Sequence, residues 1–201
     1  MRFLCIGALA ALALVLLALG AGTAVALRGG ISARVEPSEL EASLARRARG
    51  WVIPRDARST ANPIPASPQV LADARAHFAD HCASCHGNDG RGGTELGRNL
   101  YPRAPDMRAR ATQDLTDGEL FWIIENGVRF TGMPGWGGAG KPEESWKLVH
   151  FIRHLPRLAP EELEEMERMN PRSAEEWEEL RADEEFLEGK APAPERPRHA
   201  H

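Results

Sequence analysis

The stretch Cys82-Ala83-Ser84-Cys85-His86-Gly87 decides how the rest of this chain reads. It has the form C-x-x-C-H, the spacing of a c-type haem attachment site. Two thiols separated by two residues can both reach one edge of a porphyrin and add to its vinyl groups as thioethers. A histidine directly after the second cysteine can bring its imidazole beneath the ring and ligate the iron. Three other readings compete. A thioredoxin-type pair needs a strand–helix unit around it, and the flanking sequence offers none. A structural zinc site needs further ligands at finger-like spacing, and there is no second cysteine pair. Chance occurrence is the third. A thioether downstream, Met133 in Thr131-Gly132-Met133-Pro134, weighs against all three, because it supplies a candidate second axial ligand.

Together, Cys82-Ala83-Ser84-Cys85-His86-Gly87 and Thr131-Gly132-Met133-Pro134-Gly135-Trp136 resemble the class I, single-haem cytochrome c family. The resemblance covers about Pro68 to Pro156, under half of the chain. It implies an all-α fold, a small helical domain wrapped around one covalent haem c. It also implies Cys82 and Cys85 as attachment points, His86 and Met133 as axial ligands to iron, and electron transfer as the function. The flanking segments lie outside it.

The chain has 201 residues, enough for one domain with extensions. The third cysteine, Cys5, lies in an apolar run and reads as a buried thiol, so no disulfide framework remains. The net charge of −4 names no partner, but its distribution is uneven. Residues 68–157 carry eleven acidic and eleven basic side chains, whereas residues 160–190 carry thirteen acidic and four basic. An acidic appendage follows an electrically balanced domain.

Residues 3–27 contain no charge and follow Arg2, long enough to span a bilayer as a helix. A signal-peptide core is usually shorter, roughly 7–15 residues, although Ala24-Val25-Ala26 is an acceptable cleavage site. Length favours an uncleaved anchor. Arg28 and Arg34 follow the span, so charge does not orient it. The family resemblance does, because c-type haem is attached on the outer side of the bacterial inner membrane.

Residues 28–67 read as a juxtamembrane helix and a proline-rich linker. Ser38-x-x-Glu41 is a capping-box pattern that opens a short helix to about Arg49. Arg46, Arg47, Arg49, Arg55 and Arg58 make this region basic, suited to anionic headgroups or simply to water. Asn62 to Pro68 holds three prolines and should be extended.

Residues 68–157 form the expected haem domain. Ser67 caps a helix with Pro68 at its first position, and Val70, Leu71, Ala74, Phe78 and Ala79 share its apolar stripe. In the family the first helix crosses the last at a small residue beside an aromatic, and Ala74 and Phe78 match those positions. Gly87 to Arg110 is too rich in glycine and proline for long helices. Met107 in it is a rival axial ligand, with less around it to fix its position. Thr116-x-x-Glu119 caps a helix that Asn126-Gly127 stops. The loop that follows is stiffened by Pro134, with Phe130 and Trp136 expected to anchor it on either side. The last helix runs from about Pro142 to Leu155. His150 and His154 stand at a spacing that can bind a metal, but without a third ligand they read as two partly exposed histidines.

Residues 158–190 read as an acidic helical extension. Leu163, Met166, Met169, Trp177 and Leu180 are able to pack on the domain. Ser173-x-x-Glu176 is a third capping-box pattern. Residues 191–201 read as a disordered tail.

The function expected is a membrane-tethered c-type cytochrome that carries single electrons between a redox donor and a redox acceptor. Its haem faces the periplasm or outer side. No nucleic acid, small-molecule substrate or catalytic residue is expected. The alternative is a dedicated cytochrome subunit of a membrane oxidoreductase complex. A haem enzyme or sensor is a third, and it needs a displaceable Met133.

Overall fold

The computed structural model describes residues 2–27, 32–172 and 174–190. Every regular element among them is helical. α1 runs Arg2–Leu27, α2 Glu39–Val52, α3 Arg55–Ser59, α4 Pro68–His77, α5 Ala83–His86 and α6 Glu95–Arg98. α7 then runs Arg110–Gln113, α8 Asp117–Asn126, α9 Pro142–His154, α10 Pro160–Met169 and α11 Ala174–Leu187.

The transmembrane helix expected over residues 3–27 is not found. Among the described residues, no helix is long and apolar enough to cross a membrane. α1 runs Arg2–Leu27, and its Leu12, Leu14, Val15, Leu16, Leu17 and Leu19 side chains are apolar and exposed. The side chain of Cys5, Ser173 and residues 191–201 fall outside the described residues.

α4 starts as its sequence dictates. The Ser67 hydroxyl accepts a hydrogen bond from the Val70 amide at 3.1 Å, and Pro68 takes the first position, where no amide is needed. The helix does not simply continue to the cysteines. Phe78–Cys82 forms a π-turn in which the Ala83 amide reaches back five residues to the Phe78 carbonyl. α5 follows without a break and stops at Gly87, whose φ of 72° suits a residue without a Cβ.

α4 packs on α9, and this crossing is the centre of the core. Ala74 is fully buried there, and Phe78 meets Phe151 with ring centroids 5.0 Å apart at 52°. α8 packs on α9 beside it, capped by the Thr116–Glu119 box. Phe121 lies flat on Trp146, centroids 4.0 Å apart. Arg153 of α9 ties this layer down by donating to Asp117 at 2.8 Å and to the Gln113 carbonyl at 2.6 Å.

The segment before the domain is laid against it. Ile53, after α2, is buried. α3 rests on Gly118 of α8, where an added Cβ would lie 1.8 Å from the Ala57 carbonyl oxygen. The proline-rich stretch is extended and pinned to α9. Asn62 donates to the Trp146 carbonyl at 2.9 Å, and the His150 Nε2 lies 2.8 Å from the Ile64 carbonyl. α2 keeps Ala42, Ser43 and Arg49 partly buried and leaves Leu40, Leu44 and Trp51 exposed.

α10 closes the other side. Met166 has no exposed surface and shares the core with Phe78, Ala79 and Phe151. Arg75 of α4 reaches Glu162 at 2.7 Å and Glu165 at 2.5 Å. His154 lies 2.8 Å from the other Glu162 oxygen. Part of the acidic extension is therefore neutralised by the domain it follows. Trp177, by contrast, is exposed, with the Arg172 guanidinium 5.3 Å from its ring. Met166→Ala should cost about 2–5 kcal/mol, the usual range for a long core side chain cut to alanine. A chemical denaturation midpoint unchanged by that substitution would place α10 outside the cooperative unit.

The same contact sets a pH dependence. Burial pushes the Glu162 carboxyl up, but the Ala159 amide, His154 and Arg75 outweigh it and leave the group below the ordinary 4.5. A depressed carboxylate stabilises the fold above its unfolded pKa and loses that contribution as pH falls through the folded value. The melting temperature of the native chain should exceed that of Glu162→Gln at pH 7, and the gap should close in acid below 4.5. A gap independent of pH would assign the effect to packing.

Candidate functional site: a haem attachment segment and a methionine loop

The attachment segment is fixed by its own carbonyls. The Thr94 hydroxyl donates to the Cys85 carbonyl at 3.0 Å, and the Gly92 amide donates to the His86 carbonyl at 2.7 Å. Gly97 sits so close to the segment that a Cβ there would lie 2.2 Å from the Cys85 oxygen. The glycine-rich stretch after the motif thus serves close backbone approach, and its one-turn α6 is the longest helix it holds before α7.

The side chains suit covalent haem attachment. Cys82 and Cys85 are both free thiols, one helical turn apart. Burial pushes the Cys82 thiol up to about 12, with Cys85 adding to the shift, so it is protonated at neutral pH. His86 is 7% exposed and its Nδ1 is buried without a partner at hydrogen-bond geometry. Burial lowers this imidazole to about 4, and the Pro105 carbonyl facing it offsets only part of that shift. A ring held neutral at pH 7 keeps a lone pair for a metal ion.

Met133 lies half-buried in a loop that follows α8. Several contacts hold the loop. The Val128 amide donates to the Met133 carbonyl at 3.1 Å, the Met133 amide donates to the Thr131 hydroxyl at 3.1 Å, and the Trp136 amide donates to the Ile124 carbonyl at 2.9 Å. Gly127, at φ 66°, has no room for a Cβ, which would fall 2.5 Å from the Gly135 nitrogen. Leu100 packs where a side chain on Gly132 would sit. Trp136 stacks on His81. Phe130 is not an anchor, contrary to the expectation from sequence. It is 92% exposed at a φ of 63°, because the tight turn after Gly127 points its side chain to solvent.

Met107 differs from its expected setting as well. Its loop is well fixed, with the Met107 amide donating to the Gly90 carbonyl at 2.8 Å and Gln113 donating to the Met107 carbonyl at 2.7 Å. The side chain is 9% exposed and belongs to the core cluster with Phe78 and Leu120. His150 and His154 each have their own partner, Ile64 and Glu162, and among the described residues no group of three or more His, Cys, Asp or Glu side chains is placed to hold a metal ion. The docking of α3 on Gly118 was not legible in advance, although a glycine in a helix's first turn was a signal of close approach.

Residues 69–152 match the family described as cytochrome C oxidase, cbb3-type, subunit III. This stretch is a class I, single-haem cytochrome c-like domain, and such a domain carries haem c covalently, with its iron. No curated protein matches the chain.

Proposed function

We propose that the protein is a membrane-tethered, outward-facing cytochrome that passes single electrons between larger redox proteins. Cys82 and Cys85 would hold the haem covalently, and His86 and Met133 would bind its iron. The haem supplies a one-electron couple at its iron. The chain supplies attachment, a neutral imidazole, a restrained thioether and burial, and these tune the potential upward. The observation that carries this reading is the buried, neutral His86 beside two free thiols, in a fold that also presents a methionine on a braced loop. With His86 and Met133 both engaged, the chain would leave no place for a substrate at the iron and would serve electron transfer through a small, weak interface.

The tether rests on the uncharged residues 3–27 and on exposed Leu40, Leu44 and Trp51 of α2 beside Arg46 and Arg47, which suit the inner-membrane surface on its periplasmic side. The second reading, a dedicated subunit of a membrane oxidoreductase complex, is favoured by the match to an oxidase subunit family.

The test is purification of the haem-loaded chain from detergent-solubilised bacterial membranes. A tethered carrier stays with the membrane through alkaline carbonate extraction and purifies as one chain. Co-purification with fixed partners selects the subunit reading. Release by carbonate removes the tether. Carbon monoxide binding to the reduced protein at neutral pH would replace both with an enzyme or sensor.

A further inference from the structure

The Met133 loop is fastened at several points, and most of its ties run to α8, to Leu100 or within the loop itself. The tie to the attachment segment is ring on ring. Trp136 lies nearly parallel to His81, with centroids 5.6 Å apart and planes inclined by 12°. His81 directly precedes Cys82, and its ring is braced from two further directions. The Asp80 carboxylate lies 3.2 Å from its Nδ1, and His77 meets it edge-on with centroids 4.9 Å apart at 85°. Trp136 therefore rests on an oriented platform.

We propose that Trp136 is a positioning residue: its contact with His81 clamps the methionine loop to the haem-attachment segment. This rests on the reading of Met133 as a ligand. Trp136 stands three residues after Met133, with Pro134 between them, so holding the indole restrains the backbone that carries the thioether. A thioether binds ferric iron weakly, and the loop's tendency to open then decides how long the sulfur stays in place. An offset aromatic pair of this kind shifts such an opening equilibrium by about twofold to tenfold.

The test is amide hydrogen exchange in the haem-loaded, full-length ferric protein. Trp136→Ala should raise exchange across residues 128–136 by about twofold to tenfold while amides of 148–152 in α9 stay as they are. His81→Ala, which leaves the indole in place, should do the same, and the double variant should do no more than the larger single effect. Trp136→Phe should restore most of the protection. Unchanged loop exchange in Trp136→Ala, or additive effects in the double variant, overturns the clamp. If Trp136→Ala fails to fold, His81→Ala alone decides, since unchanged exchange there is equally fatal. The ligand reading is judged separately, by the ferric spectrum of Met133→Ala. A spectrum unaltered there sinks the ligand and leaves the exchange result to judge the clamp.

Discussion

In the ferric, haem-loaded chain, Met133→Ala removes the weak sulfur-to-iron charge-transfer band near the red edge of the visible spectrum and lowers the reduction potential. Met107→Ala leaves the band in place. Both side chains are thioethers, so chemistry alone does not choose between them. Their surroundings do. Met107 is buried among Phe78, Leu120 and other core residues, the setting of a structural methionine. Met133 is half-buried on a loop whose backbone is braced by Val128, Thr131 and the close approach of Gly127 to Gly135. Such bracing fixes a weak ligand in place without relying on bond strength. Met107→Ala should instead cost about 2–5 kcal/mol of stability, as for other core truncations. A band that survives Met133→Ala and vanishes with Met107→Ala reverses the assignment and removes the resemblance over the second half of the domain.

Replacing Cys82 and Cys85 together abolishes covalent attachment. Intact mass after acid–acetone extraction reads the result directly: the native chain keeps the mass of one haem, and the double alanine variant keeps none. Either single replacement weakens or abolishes attachment. One attachment motif allows one haem per chain. A native chain that loses its haem to the solvent would show that the thiols, although free and one turn apart, do not form thioethers.

What could be read in advance followed local chemistry. Ser67 before Pro68, Thr116 before Glu119 and Gly127 after Asn126 mark helix ends through capping and through a positive φ, and the helices begin and end there. The attachment motif was legible from its spacing, and the turn-rich course of residues 127–137 from its glycines and Pro134. Long-range placement was less legible. Phe130 flanks the loop as a good anchor would, but which way a side chain points at φ 63° is settled by the turn that precedes it. Met107 lies in an arginine-rich run, and only the tertiary structure carries Gln113 across to its carbonyl. The basic segment before the domain looks solvated by composition, yet Ile53 and Gly118 give it a seat. The packing of α10 is readable from Leu163, Met166 and Met169, but its acidic face hides that Arg75 and His154 stand opposite Glu162.

The π-turn at Phe78–Cys82 makes the attachment site a matter of phase. In an uninterrupted α-helix, Phe78, Cys82 and Cys85 would follow one another up a single face, and the thiols would point where Phe78 points, into the contact with Phe151. The wider turn accommodates one more residue and swings everything after it around the axis. One stretch of chain can therefore serve the core before residue 78 and the cofactor after residue 82. Winding the same residues as plain α-helix would leave an intact C-x-x-C-H with its thiols turned onto the Phe78 face, against the core. The motif alone is thus an incomplete description of what must be inherited, because the wide turn that precedes it is part of it.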